Sequence, residues 1–218
     1  MPKVVDAEAR RDEVADAVFR VVRRAGFEQA SLRNVAEEAG LAIGSVRHYF
    51  DGHTELMTFA MRVSIERVSV RLEERLGPLL AARDGAERAE GVELMLSELL
   101  PLDQARLEEA TVWLAFTTAA RTRPELVPQA REAYDGLRRL VGRIVEGVAR
   151  SGRLRADADI EVETERLAAL LDGLTVEGVL HPERMTPDLM RRCLRRHLET
   201  LSREQPAAGV RLGACPPT

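Results

Sequence analysis

Arg47, His48 and Tyr49 stand side by side, followed by Phe50, near the end of the stretch SLRNVAEEAGLAIGSVRHYFDGHTEL (31–56). A guanidinium, an imidazole and a phenol in one place suit three chemistries: acid–base catalysis, metal ligation or nucleic-acid recognition. Catalysis requires a nucleophile with its base, a metal set or a phosphate loop. The chain has neither a nucleophile elbow nor a glycine-rich phosphate loop. Its four histidines are scattered, with no paired carboxylates beside them. No catalytic residue is assigned. His48 and His53 lie on either side of a helix break, with no cysteine or acidic residue to complete a ligand set. Cys193 and His197, at i and i+4, share one helix face, but two ligands do not make a site. Neither a metal nor another cofactor is expected. Nucleic-acid recognition is the reading that remains; an enzyme and a helical adaptor without DNA activity are the rivals.

The elements that must position this trio read as helices. Of the 218 residues, 45% are hydrophobic, 31% charged and only 4% aromatic, a mix that suits an all-α protein. Val14, Val18, Val21, Val22 and Ala25 mark one face of a first helix, closed by Gly26. Ser31 is a good N-cap for a second helix carrying Leu32, Val35, Ala36 and Ala39, which ends at Gly40. A short third helix has Val46 and Phe50 on one side and is broken by Asp51-Gly52. A long helix starts at His53, with Leu56, Met57, Ala60, Met61, Val63, Ile65, Val68 and Leu72 on its apolar side; Gly77-Pro78 weakens or ends it.

Helices are then expected over 86–100, 103–121 and about 125–151, punctuated by Pro101, Arg123-Pro124 and Ser151-Gly152. Pro128 leaves the start of the third of these open by a turn. Residues 160–180 are apolar almost all round, so that helix is expected to be buried on every side. A last helix follows Thr186-Pro187. The expectation is about nine helices in an N-terminal unit over 8–68, a larger body over 69–203 and an irregular tail over 204–218.

Two short helices joined by a tight glycine turn, over 31–50, form a helix-turn-helix. The second can enter a major groove while Leu32, Val35, Ala36, Leu41, Val46 and Phe50 pack beneath it. Gly44 and Ser45 then allow close approach to DNA. Arg47 can grip a guanine edge or a phosphate. His48 and Tyr49 can donate to phosphates. Ser31 and Arg33 sit where free helix amides attract a phosphate. The net charge of −4 argues against such a partner, and residues 1–55 hold eight cations against ten anions. Binding must therefore rest on local placement, with strong salt sensitivity and poor non-specific affinity. Two cysteines make no disulfide framework, and no charge-free run approaches the ~20 residues that span a bilayer. A cytoplasmic protein without a membrane partner is expected.

Gly26-Phe27, Ser31, Val35-Ala36, Ala39-Gly40, Gly44, His48-Tyr49-Phe50 and Leu56 together resemble the DNA-binding domain of the TetR family of bacterial transcriptional regulators. The stretches TVWLAFTTAARTRPEL, ARSGRLRADAD and ERLAALLDGLTVEGVLHPERMTPDLM resemble that family's choline-responsive betaine-pathway repressor branch. The resemblance implies a homodimeric repressor that binds a palindromic double-stranded DNA operator through its N-terminal heads. Its C-terminal body would bind a small-molecule effector and dimerise through the last two helices. The chain departs from the family pattern at Ala42, a weaker cap than serine or threonine, and at Arg47, where tyrosine is frequent. His53 replaces a lysine that touches phosphate; in that role it would strengthen binding below about pH 6.5. Met61, Met95, Trp113, Phe116 and Tyr134 line an effector cavity or simply fill the core. Leu167, Leu171, Leu174, Met190 and Leu194 are assigned to a four-helix seam between subunits, a role that core packing within one subunit can accompany. Asp172 and Glu177 remain open among seam, pocket and surface.

Overall fold

The computed structural model describes residues 7–201. Nine α-helices occur among them: α1 (Ala7–Ala25), α2 (Leu32–Glu38), α3 (Ile43–Tyr49), α4 (His53–Ala81), α5 (Gly85–Ser97), α6 (Gln104–Ala120), α7 (Val127–Arg150), α8 (Ile160–Leu180) and α9 (Pro187–Leu201). Single 3-10 turns lie at Phe27–Gln29 and Pro124–Leu126. The all-α architecture follows the sequence patterning; the tail over 204–218, with Cys215, lies outside the described residues.

The helix ends have local causes. The Ser31 hydroxyl accepts from the amide of Asn34 at 3.2 Å and so caps α2. Asp84, Asp103 and Asp159 do the same for α5, α6 and α8. Gly26 and Gly40 take φ of +86° and +66°, left-handed values that let the chain leave α1 and α2 abruptly. Ala42, by contrast, gives α3 no side-chain cap.

Two hydrophobic clusters form the interior. The first joins Val18, Phe19, Val35, Val46, Phe50, Leu56 and Met61 of the head to Val112, Phe116 and Leu126 of the body. α1 is buried over a wider arc than its valine stripe, since Ala15, Ala17 and Phe19 are covered too. α6 packs on α1 as well as α2 and α4 do, which explains that extra burial. The second cluster gathers Leu96, Leu100, Val141, Val145, Leu167, Leu171, Leu174, Met190 and Leu194.

α4 connects the two units. At its N-terminal half, Arg67 reaches Asp16 of α1 at 2.8 Å and lies over the Phe19 ring. Farther along, Arg71 grips both carboxylate oxygens of Glu109 at 3.2 and 2.7 Å. Arg75 and Arg106 hold Glu98 at 2.7 and 3.1 Å. Glu98 and Glu109 are buried, and buried carboxylates persist when paired and hydrogen-bonded in this way. The boundary expected at residue 68 thus falls inside an unbroken helix.

Three expectations change. α4 does not stop at Gly77-Pro78 but runs to Ala81. Pro78 removes only the amide that would serve Glu74, and both residues are exposed, so water can satisfy that carbonyl. α8 is not buried on every side: Val162, Ala169, Gly173 and Leu180 are exposed in the subunit, because α7, α6 and α9 cover only one face. Pro128 sits in the first turn of α7, where its missing amide is harmless.

The head is tied together by Glu38, which accepts from Arg20 and Arg24 of α1, each at 2.8 Å. Those hydrogen bonds hold its pKa below the ordinary 4.5. A lowered folded-state pKa means the stabilisation is complete above 4.5 and is lost as pH falls through the folded value. Glu38→Gln should lower the melting temperature by about 2–4 °C at pH 7. In paired thermal melts that difference should shrink as pH falls below 4.5.

Candidate nucleic-acid interface

A helix of seven residues offers few faces, and α3 divides them cleanly. Val46 is fully buried and Phe50 nearly so, both against the head core. Phe50 meets Phe59 of α4 with centroids 5.0 Å apart, which fixes the depth of α3. Gly44, Ser45, Arg47, His48 and Tyr49 are all exposed on the other side. The Tyr49 and His48 rings meet edge to face at 5.3 Å, leaving the phenol 45% accessible. Nothing lies within 4 Å of a Cβ built on Gly44, so its backbone is open to a ligand.

α2, which packs on α3, has a capped N-terminus. The Ser31 oxygen accepts from Asn34, and the Asn34 side chain donates to the carbonyl of Gln29 at 2.8 Å. The Ser31 proton remains free to donate outward. Arg33 is exposed. Of the eight residues assigned to DNA, Arg33, Gly44, Ser45, Arg47, His48 and Tyr49 are thus exposed, and Ser31 is half-buried at the α2 cap.

His53 differs from the exposed residues: it is half-buried, and one of its ring nitrogens is taken up inside the head. Its Nε2 lies 2.9 Å from the carbonyl of Phe27, and its ring meets the Phe27 ring edge-on at 4.9 Å. A carbonyl only accepts, so Nε2 carries the proton and is already used. The half-buried imidazole thereby ties the start of α4 to the 3-10 turn, with Nδ1 left over for any contact to phosphate. Sequence reasoning missed Phe27, Glu28 and Arg123 around it. The Gly26-Phe27 pair was the available signal.

Electrostatically the head is sparing. Arg10 pairs with Glu13, Arg20 and Arg24 with Glu38, and Arg23 with Glu108, while Arg11 lies over Phe59. Among the described residues, Arg33 and Arg47 are the head's arginines through Glu55 with neither an acidic partner nor an aromatic ring beside them.

This geometry, a capped helix, a left-handed glycine turn and a short anchored helix with polar fingers, is that of a helix-turn-helix. Residues 15–58 match the family model described as bacterial regulatory proteins, tetR family. Residues 88–203 match that of the BetI-type transcriptional repressor, C-terminal. The chain belongs to the TetR family of bacterial transcriptional regulators. It is 36% identical over 202 residues to the HTH-type transcriptional regulator PksA of Bacillus subtilis (strain 168), covering 92% of this chain and 94% of that protein. Identity to the HTH-type transcriptional regulator BetI of Vibrio campbellii is 27% over 184 residues, covering 84% and 87%. A transcriptional regulator from Rhodococcus sp. Rha1 superposes with a TM-score of 0.74 at 29% identity, over 90% of this chain and 99% of its own. The fold also matches a Saccharomonospora viridis regulator solved in complex with choline, with a TM-score of 0.75 at 22% identity, over 91% and 100%. This TetR-family chain is an HTH-type transcriptional regulator, not an enzyme. No helix of its described residues is long and apolar enough to cross a membrane.

The residues assigned to an effector separate in space. Met61 and Phe116 are fully buried in the first cluster, with Trp113 half-buried against it. Met95 is buried on α5 outside that cluster. Tyr134 does not join them: it is 51% exposed on α7, with the Arg138 guanidinium 3.4 Å from its ring centre. The two best-formed depressions among the described residues lie elsewhere. One is an open groove of about 580 Å³ along Asp135, Arg138, Arg139, Gly142, Arg143 and Glu146 of α7; the other lies between α1 and α2.

The five residues assigned to a subunit seam are likewise placed inside one subunit. Leu167, Leu171, Leu174, Met190 and Leu194 are at most 5% exposed in the single chain. α8 and α9 pack their largest apolar side chains on α5, α6 and α7, so these five have no surface left for a second copy. Asp172 is half-buried, 3.6 Å from Arg138, and burial pushes its pKa up against that arginine; Glu177 is exposed.

If Arg33 and Arg47 are the cations that meet DNA and the chain binds as a dimer, two subunits would bring about four charges. A plot of log Kd against log salt should have a slope of magnitude about 4, read by fluorescence anisotropy. Arg33→Ala should lower it by about 2 without changing which sequence is preferred.

Proposed function

We propose that this regulator is a repressor that binds a near-palindromic double-stranded operator as a homodimer and leaves it when a small molecule occupies the body. The observation that carries the reading is the division of α3. Val46 and Phe50 are sunk in the head core, while Arg47, His48 and Tyr49 project together from a helix short enough to enter a major groove. Ser31 and Arg33 flank it to hold phosphates. Arg47 is the candidate for base recognition, since a guanidinium can pair with a guanine edge in two hydrogen bonds. Two heads reach equivalent grooves when about 34–36 Å, or a multiple of that, separates them.

The seam we propose uses the face of α8 that its own subunit leaves bare. Val162, Ala169, Gly173 and Leu180 fall on that face, with half-buried Val176 among them. Small Ala169 and Gly173 allow two such helices to approach closely. The outer face of α9, with Arg191, Arg192, Arg195 and Arg196 exposed, suits solvent.

The effector we propose is not a quaternary ammonium ion. Such a cation is held in an aromatic cage. The body has three aromatic residues, of which Phe116 is fully buried against the head and Tyr134 is covered by Arg138. Its buried carboxylates, Glu98, Glu109 and Glu163, are already neutralised by arginines.

The test is a gel shift with DNA upstream of the protein's own gene. Arg47→Ala should weaken binding about 10- to 100-fold and Tyr49→Phe severalfold, both with unchanged melting temperatures because the side chains are exposed. Unaltered binding in Arg47→Ala would overturn the assignment of α3. For the seam, nothing lies within 4 Å of a Cβ on Gly173, so Gly173→Glu leaves the subunit undisturbed. It should yield monomers in sedimentation velocity; an intact dimer would place the seam elsewhere. Millimolar choline should leave the gel shift unchanged, and release of DNA by choline would refute the effector reading.

A further inference from the structure

We infer that Arg123 is the residue by which the body holds the DNA-reading head in register, a positioning role that rests on the regulator reading above. Arg123 stands between the end of α6 and the turn at Pro124–Leu126. Its Nη2 donates to both carboxylate oxygens of Glu28, at 2.6 and 2.7 Å, across 95 residues of sequence. The same guanidinium lies over the Phe27 ring, 5.1 Å from its centre. Phe27 is 8% exposed and meets Phe116 of α6 at 6.4 Å and His53 of α4 at 4.9 Å, both edge-on. Its carbonyl takes the proton of His53. One short turn of the head is thus held by the body from two sides and is bonded in turn to the first residue of α4.

An ion pair with a carboxylate as exposed as Glu28, at 69%, contributes little alone. Here the guanidinium is itself only 29% exposed and rests on an aromatic face, so charge and stacking act on one group. Arg67, Arg71 and Arg75 fix α4 to α1, α5 and α6 along much of its length. The contacts of Arg123 and Phe116 bear instead on the turn just before the reading helices, and Arg123 supplies the charged one. α6 also carries Trp113 and Phe116, so a shift of its C-terminal end carries Arg123 with it. Glu28 and Phe27 follow the guanidinium, and His53 follows the Phe27 carbonyl. The body therefore reaches the head by this route as well as through the length of α4.

The experiment compares wild type with Arg123→Ala, Arg123→Lys and Glu28→Gln. One measurement is operator affinity on the upstream DNA. The other needs no DNA: spin labels at Glu37 in the head and Glu146 in the body, both exposed, report the head-to-body distance by pulsed electron resonance. Cys193 and Cys215 are changed to serine, and labelled chain is diluted with unlabelled chain so that each dimer carries one pair. Arg123→Ala should broaden the distance distribution and raise the operator Kd about tenfold, with the melting temperature near that of wild type. Glu28→Gln should act in the same direction, more weakly. Arg123→Lys keeps a cation over Phe27 and should recover most of both readouts. A wild-type distribution in Arg123→Ala would overturn the proposal. So would equal damage in the alanine and lysine variants accompanied by a lowered melting temperature, which would make Arg123 merely structural. Failure of the wild type to bind the DNA would refute the regulator reading, while the distance measurement would still decide the role of Arg123.

Discussion

A helix of seven residues does not hold itself together in water, because nucleating a helical turn is unfavourable and few bonds follow to offset it. α3 is such a helix, and it lacks even a side-chain cap at Ala42. Its existence rests on Val46 and Phe50, which are buried against α1, α2 and α4. The rest of the head serves that burial. Gly26 and Gly40 turn the chain sharply enough to bring three helices to one small core. Ser31 fixes the start of α2, and Glu38 pins α2 to α1 through two arginines. With the inner face of α3 anchored, its outer face has nothing to do but meet a ligand, which is why Arg47, His48 and Tyr49 can be recognition groups without any catalytic partner.

Charge imposes a second constraint. The chain carries a net −4, and most arginines of the head are tied to carboxylates or lie on aromatic rings. An acidic protein of this kind cannot rely on a broad positive field to find DNA. It depends on a few uncommitted cations, helix amides and hydroxyls placed at fixed distances, so its contacts must be positioned well to count. That raises the importance of the joints behind the head. His53, expected as a phosphate contact, also keeps α4 against the turn at Phe27. The buried arginine–glutamate cluster farther along α4 contributes rigidity of the same sort between the two units.

Much of the fold could be read from periodicity and punctuation. The helix count, the caps at Ser31 and Thr186, the glycine turns and the inner face of α3 all follow from spacings within a few residues. Pro78 misled because proline was judged as a breaker without regard to where the helix meets water. The residues assigned to the seam were hard to place for a related reason. An almost wholly apolar stretch shows that a helix has two faces to cover, but not which side chains turn towards its own subunit. Leu167, Leu171 and Leu174 are larger than Ala169 and Gly173, so they attracted the assignment. In the structure the large ones fill the subunit and the small ones are left outside. The exposure of Tyr134 was hidden in the same way, since which side of α7 it occupies depends on how that helix packs on α8.

By itself, then, the sequence determined an all-α chain, a capped helix-turn-helix over 31–50 and the exposed side of α3 with Arg47, His48 and Tyr49, because local spacing and backbone preference act over single turns. Only the tertiary structure decided which partners the other polar groups find. Arg123 and Glu28 meet across 95 residues, Arg71 and Glu109 across 38, and His53 reaches a carbonyl 26 residues before it. Such contacts arise where packed helices cross, and the crossing is set by the shapes of whole faces, which no short stretch of the chain contains.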